Sequence, residues 1–114
     1  MSDLRTLDLI PMRTIDEVAA RLLATAPAGS EVILFGSYAR GDADPGSDVD
    51  FLVVGPVVGD ARVESVRLRE SVRGMGVAMD IVVVSRARFE HWRTFSSTLI
   101  AEAAREGKVY RNVG

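Results

Sequence analysis

Three aspartates and one Gly-Ser pair are the residues of this 114-residue chain whose types and spacing favour chemistry. Asp48 and Asp50 stand two positions apart at the start of a predicted strand, so both carboxylates project from the same face. Two such carboxylates repel each other unless a cation lies between them, and ligands that are all oxygen select a hard cation such as Mg²⁺. The pair therefore predicts a magnesium site.

Asp80 interrupts an otherwise apolar run over residues 77–84 and is the candidate third carboxylate. Neighbouring strands lie about 5 Å apart, so Asp80 joins the cluster if its strand lies beside that of the aspartate pair. Three carboxylates can hold two metal ions on the attacking and leaving oxygens of an in-line phosphoryl or nucleotidyl transfer. Asp60 is the rival, but its position after Gly59 in a loop favours a helix cap.

Gly36 and Ser37 end another apolar strand and open a turn or a helix start. Glycine lets a phosphate approach the backbone closely, and free N–H groups at such a turn attract anions. Arg40 follows one turn later and offers a fork of donors to phosphate. A Gly-Ser turn or an Asp-x-Asp pair alone is usually without catalytic function. It is their order along the chain that favours an active site.

The elements that position these residues follow from hydrophobic periodicity and turn signals. A capping box at Thr14 and Glu17 predicts a helix over 15–26. Further expectations are strands at 31–35, 48–54 and 77–84, a helical turn at 38–40, a helix at 61–73 capped by Asp60, a helix at 86–92 capped by Ser85, a last helix capped by Ser96 or Ser97 and ended by Gly107, and an edge strand at Val109–Tyr110. This alternation predicts one α/β or α+β domain over 1–114, with a small mixed sheet of three to four strands packed with helices.

Composition restricts the function classes. A net charge of −2 and a pI of about 5.4 argue against non-specific nucleic-acid binding, although a metal can still bring a nucleotide to an acidic protein. The absence of cysteine excludes disulfides, zinc-thiolate sites and thiol catalysis. Residues 1–13 lack a signal-peptide pattern, and no apolar run approaches the length of a membrane span. We therefore expect a cytoplasmic protein without membrane contact.

An aromatic cluster follows the third predicted strand. It consists of Phe89, Trp92 and Phe95, with the only histidine, His91, among them. Aromatic residues on a helix usually pack in the core, and a packing or surface role suits His91 better than catalysis. If the cluster is exposed, it predicts a partner surface.

The spacing Gly-Ser, ten residues, Asp-x-Asp resembles the signature of the polymerase-β-like nucleotidyltransferase superfamily. The short chain and the run Gly36–Gly41 ahead of Ser47-Asp48 are most similar to the minimal nucleotidyltransferases. Members of that family act as antitoxins of helical HEPN-type ribonuclease toxins, in type VII-like toxin–antitoxin pairs. With Asp80 and the element order, the resemblance spans roughly residues 15–110.

The resemblance implies roles for individual residues. Gly36 and Ser37 would hold the triphosphate, Asp48 and Asp50 would ligate metal, and Asp80 would ligate metal and help to deprotonate the acceptor. Arg40 and Ser47 match less diagnostic positions and are candidate phosphate contacts. The implied reaction uses two Mg²⁺ ions and transfers AMP from ATP to a tyrosine of the toxin, with pyrophosphate leaving.

Two alternatives remain open at this point. The chain is a non-catalytic antitoxin if covering the toxin is enough to neutralise it. It is a transferase for a small acceptor if the hydroxyl belongs to a molecule such as an aminoglycoside. Those transferases resemble longer chains with an added domain that forms the acceptor pocket.

Overall fold

The computed structural model describes residues 9–95 and 97–112. In chain order the elements are α1 (Met12–Thr25), β1 (Glu31–Phe35), α2 (Ser37–Arg40), β2 (Val49–Gly55), α3 (Ala61–Ser71), β3 (Met79–Ser85), α4 (Arg86–Trp92), α5 (Leu99–Glu106) and β4 (Lys108–Arg111). None of the described helices is both long and apolar enough to span a membrane.

The four strands form one mixed sheet in the order β3-β2-β1-β4. β1 is antiparallel to both β2 and β4, whereas β2 and β3 are parallel and are joined by the crossover helix α3. As a result, the end of β1 and the starts of β2 and β3 meet at the same edge of the sheet. The predicted small mixed sheet is confirmed.

The central strand β2 is buried on both faces, which explains its continuous apolar sequence. Phe51 and Val53 face the layer formed by α1 and α3, where they pack with residues such as Leu22. Leu52 and Val54 face the opposite layer, formed by α4 and α5. Asp50 has the same parity as Leu52 and therefore lies on the α4–α5 face.

Two predicted helix caps are wrong. α1 begins at Met12, because the carbonyl of Pro11 accepts from the amides of Thr14 and Ile15, and Thr14 lies inside the helix rather than capping it. A proline cannot continue a helix towards the N-terminus but suits its start, so Pro11 sets the boundary. Thr98, not Ser97, caps α5 by accepting from the Ala101 amide at 3.0 Å. Ser96 lies outside the described residues.

The other predicted caps are confirmed. The Asp60 carboxylate accepts from the amides of Arg62 and Val63, and the Ser85 hydroxyl accepts from the Arg88 amide. The helical turn after β1 is also present. The remaining element ends differ from the predictions by one or two residues, as at β2 and β3.

Candidate active site

The predicted site residues meet at the sheet edge where β1 ends and β2 and β3 begin. Asp50 is paired with Phe35 across the antiparallel ladder and with Asp80 across the parallel ladder. Asp48 lies just before β2, whose entry is fixed by a 3.0 Å hydrogen bond from the Val49 amide to the Ala78 carbonyl. Gly36 directly follows Phe35. The strand order thus gathers the Gly-Ser turn and all three aspartates.

Gly36 is the point of closest approach between the turn and the aspartates. A Cβ at this position would overlap Asp50 Oδ2 and lie 3.2 Å from Asp50 Cγ. The Gly36 backbone also has a φ of 77°, which side-chain-bearing residues rarely adopt. Both constraints require glycine here. The Asp50 carboxylate lies directly against the backbone that leads into Ser37.

The electrostatics at Asp50 indicate a gathering of negative charge. Burial raises the pKa of Asp50 above its ordinary range, and the carboxylates of Asp80, Asp48 and Glu102 raise it further. Arg40 acts in the opposite direction, and its effect is the smallest of the five. A cation placed among these carboxylates would relieve their repulsion.

The donor set fits a hard cation, because every candidate ligand is a carboxylate oxygen. Within residues 9–95 and 97–112, however, no three His, Cys, Asp or Glu side chains converge closely enough to form a metal cage alone. An ion held here by Asp48, Asp50 and Asp80 would therefore need further oxygen ligands. Phosphate oxygens and water are suitable ligands for Mg²⁺.

Arg40 is engaged by carboxylates. Its Nε lies 3.2 Å from Asp42, and its Nη1 lies 3.2 Å from Glu102 and 3.5 Å from Glu106. Asp42 and Glu106 raise the pKa of the guanidinium. Arg40 thus links the short helix α2 to α5, and its predicted contact with phosphate stays a prediction.

Ser47 closes the loop that precedes Asp48. Its hydroxyl donates to Asp44 Oδ1 at 3.1 Å and accepts from the Asp44 amide at 3.0 Å. The Gly46 amide also donates to Asp44 Oδ1, at 3.1 Å. These bonds fix the loop that leads into Asp48, and the role of Ser47 as a phosphate contact stays a prediction.

Asp60 and His91 lie apart from the aspartate group. Asp60 caps α3 beyond the far end of β2, at the opposite edge of the sheet from Asp50. The His91 ring is exposed on α4 and contacts Trp92 and Phe95, with ring centroids 4.9 and 5.6 Å away. Glu102, in contrast, lies close to Asp50 and was missed by sequence reasoning, because nothing in its local pattern marks it.

Residues 13–109 match the nucleotidyltransferase domain family. The chain belongs to this family. A search of curated protein sequences finds no match. The polymerase-β-like nucleotidyltransferase fold predicted from the motif is confirmed, and solved structures share it.

Three of these structures are informative. A toxin–antitoxin crystal structure with AMP-PNP has a TM-score of 0.60 at 20% identity, covering 90% of this chain and 75% of that chain. The toxin–antitoxin MntA-HpeT, crystallised with two Asp→Glu substitutions, has a TM-score of 0.57 at 17% identity and the same coverage. A candidate nucleotidyltransferase from Sulfolobus solfataricus has a TM-score of 0.54 at 26% identity, covering 70% of this chain and 71% of that chain.

Proposed function

We propose that this nucleotidyltransferase uses Mg²⁺ and ATP to transfer AMP to a tyrosine hydroxyl of a HEPN-type toxin, and so acts as its antitoxin. The observation that carries the proposal is the meeting of Gly36, Asp50 and Asp80 at one sheet edge. Fold neighbours from toxin–antitoxin complexes, one of them with AMP-PNP, support the nucleotide and the partner. We expect the reaction in the cytoplasm, where ATP is available.

The reaction is an in-line displacement at the α-phosphorus of ATP. The tyrosine oxygen forms a bond to this phosphorus while the bond from phosphorus to the bridging oxygen breaks. Pyrophosphate leaves with the electron pair of the broken bond. The hydroxyl proton passes to the carboxylate of Asp80, which lies on the outermost of the three strands that meet at the site.

Each residue of the site has a role that follows from its position. The Gly36 backbone and Ser37 hold the β- and γ-phosphates, because only a glycine leaves room there beside Asp50. Asp48 and Asp50 are the residues that would hold Mg²⁺ together with phosphate oxygens, and Asp80 would share a second ion. Bound magnesium neutralises the charge that develops on the leaving pyrophosphate.

The test is co-expression with the product of the adjacent gene as the candidate toxin, followed by intact-mass measurement of that toxin. We expect one or more AMP units on the toxin with the wild-type chain and none with Asp48→Asn. Asp60→Asn is the matched control, because it removes one negative charge at the opposite edge and asparagine caps a helix as well as aspartate. It should modify the toxin as the wild type does.

Other outcomes would replace the proposal. An unmodified toxin in a stable complex, still neutralised by the double variant Asp48→Asn, Asp50→Asn, would indicate an antitoxin that acts by binding alone. No interaction with the toxin, together with transfer from labelled ATP to an aminoglycoside or another small hydroxyl compound, would indicate a small-acceptor enzyme. Transfer at the wild-type rate by both single variants would overturn the aspartate mechanism.

A further inference from the structure

An apolar groove runs along the edge strand β3 and has a volume of about 400 Å³. Its lining consists of five apolar or aromatic residues and two polar ones: Val82, Val84, Trp92, Leu99, Ile100, Thr98 and Arg88. The sequence predicted that the aromatic cluster of α4 would mark a partner surface if it were exposed. Phe89 of this cluster is buried, whereas Phe95, beside the groove, is 45% exposed and Leu99, in its lining, is 43% exposed.

The groove begins beside the candidate active site. Asp80, Val82 and Val84 are alternate residues of β3, so their side chains project from the same face of the sheet. Two residues of a strand span about 7 Å, which is the separation expected between the Asp80 and Val82 positions. A molecule seated on Val82 is therefore within reach of the Asp80 carboxylate.

The strand order fixes the direction from which an acceptor approaches. At the sheet edge where the aspartates meet, the Gly-Ser turn follows β1, Asp50 lies on β2 and Asp80 lies on β3. An in-line displacement places the leaving and attacking oxygens on opposite sides of the phosphorus. With pyrophosphate leaving on the β1 side, the acceptor oxygen arrives from the β3 side, where the groove opens.

We infer that this groove, from Val82 to Arg88, docks the segment of the protein acceptor that carries the modified hydroxyl. The inference rests on the proposed function and adds the chemistry of the segment. Apolar side chains of the segment lie against Trp92, Leu99 and Ile100, and its hydroxyl reaches Asp80.

Arg88 adds an expected charge on the segment. Arg88 is exposed at the groove, and within residues 9–95 and 97–112 its guanidinium makes no ion pair, so we expect the segment to present a carboxylate to it.

The polar groups of the groove favour a protein segment over a nucleobase. The Thr98 hydroxyl in the lining shares its one hydrogen between the carbonyls of Phe95, at 2.9 Å, and Trp92, at 3.3 Å, and it accepts from the Ala101 amide. Its single hydrogen is therefore not available to the acceptors of a base edge. Because most of this lining is apolar, an adenine buried here would leave some of its polar groups unpaired, which is costly.

The experiment compares Leu99→Glu with Val63→Glu, each purified as the full chain. Both positions are exposed, apolar and in the first turn of a helix, where a glutamate is well tolerated. Leu99 lines the groove, whereas Val63 lies on α3, on the opposite face of the sheet. The probes are the co-expressed toxin and ATP, with AMP transfer kinetics and toxin binding as readouts.

We expect Leu99→Glu to raise KM for the toxin by about tenfold or more, with kcat and KM for ATP close to wild type. Val63→Glu should leave all three unchanged. A higher KM for ATP in Leu99→Glu would mean that the groove holds the base and would overturn the inference. Unchanged kinetics in Leu99→Glu would overturn it as well, as would an effect confined to Val63→Glu.

Toxin binding separates this inference from the proposed function. If the wild-type chain binds the toxin without transferring AMP, the proposed chemistry fails. The docking surface then stands if Leu99→Glu alone loses affinity, and falls if both variants bind like the wild type. If the wild-type chain neither binds nor modifies the toxin, both proposals are overturned.

Discussion

The contact between Gly36 and the Asp50 carboxylate couples the phosphate turn to the metal-binding strand. Any side chain at position 36 both occupies the space of Asp50 Oδ2 and forces a strained backbone, since φ is 77°. The two effects can be separated, because Gly41 has a φ of 83° but nothing within 4 Å of its would-be Cβ. Glycine at 36 therefore serves the geometry of the site as well as the fold.

We predict that Gly36→Ala lowers kcat/KM for AMP transfer by about 100-fold or more, because it displaces the Asp50 carboxylate. It should also reduce the free energy of unfolding by about 1–3 kcal/mol through strain and overlap. Gly41→Ala should cost about 1 kcal/mol of stability through backbone strain alone and should keep its activity. Transfer kinetics and denaturant unfolding of both variants measure this. Equal loss of activity in both would contradict a specific role for Gly36.

The ionised Asp50 carboxylate is expected to lower the stability of the folded protein, although the proposed chemistry needs it. Its pKa in the folded protein is raised above the ordinary value of 3.8, so the folded state binds a proton more tightly than the unfolded chain. Its contribution to stability is present below the unfolded pKa and is lost as pH rises through the folded pKa. At neutral pH the ionised Asp50 is therefore a destabilising group, retained for its chemistry.

We predict that Asp50→Asn raises the melting temperature by a few degrees at about pH 7, while abolishing transfer. The gain should shrink as the pH is lowered to about 3, where Asp50 of the wild type is protonated in both states. Thermal unfolding across this range measures it. Glu17→Gln, an exposed carboxylate on α1, is the control and should show no such pH-dependent gain. A variant less stable than wild type at neutral pH would contradict the repulsion at Asp50.

At the scale of elements, local signals were sufficient where a residue acts on its own segment. Asp60 and Ser85 were recognised as caps because a cap needs only its own side chain and the next few amides. The wrong cap at Thr14 also comes from a local signal. Thr14 and Glu17 match a capping box, but Pro11 lies directly before the first helical residue, Met12, and its carbonyl closes the first turn instead. When one segment carries two helix-start signals, as at Pro11 and Thr14, the sequence alone does not decide which of them begins the helix. The packing of the helix decides it.

The packing of α5 against β1 depends on Gly107 in a way that its sequence position did not reveal. Gly107 was predicted as a helix terminator, yet its backbone is extended, with a φ of −80°. A Cβ there would overlap Ile33 Cγ2 and lie 2.9 Å from the Leu34 carbonyl oxygen. The glycine thus permits close approach of the chain to β1, which also sets the position of Glu102 and its ion pair with Arg40.

We predict that Gly107→Ala reduces the free energy of unfolding by about 1–3 kcal/mol, because the added methyl group cannot be accommodated between α5 and β1. Gly59→Ala is the matched control, since nothing lies within 4 Å of its would-be Cβ and it should change stability by about 0.5 kcal/mol or less. Urea unfolding of both variants provides the measurement. A Gly107→Ala protein as stable as Gly59→Ala would mean that α5 is free to shift away from β1.

At the scale of the whole molecule, the site depends on strand neighbours that no local pattern encodes. The strand positions were predicted within one or two residues, but the order β3-β2-β1-β4 was not. Asp80 joins Asp50 because β2 and β3 pair in parallel with the two residues in register. Glu102 reaches the same edge from α5, more than fifty residues away in sequence. Pairing across such distances is decided by packing of the full core.

The open arrangement of the carboxylates predicts how ligands stabilise the molecule. Since no three acidic or histidine side chains converge in the described part of the chain, Mg²⁺ alone lacks a complete set of protein ligands. A triphosphate supplies the missing oxygens and at the same time brings negative charge that requires the metal. Metal and nucleotide should therefore bind as a unit, and a ligand that binds only the folded state raises its melting temperature.

We predict that Mg²⁺ alone, at millimolar concentration, shifts the melting temperature by less than about one degree, whereas Mg²⁺ with AMP-PNP shifts it by several degrees. Asp48→Asn should abolish the joint shift, and Asp60→Asn, at the opposite edge of the sheet, should retain it. Thermal unfolding with each ligand alone and with both is the measurement. A large shift by Mg²⁺ alone would mean that the carboxylates close around the ion unaided. A full shift by AMP-PNP with a chelator present would mean that nucleotide binding does not depend on the aspartates through metal, and that Gly36 and Ser37 hold the triphosphate by themselves.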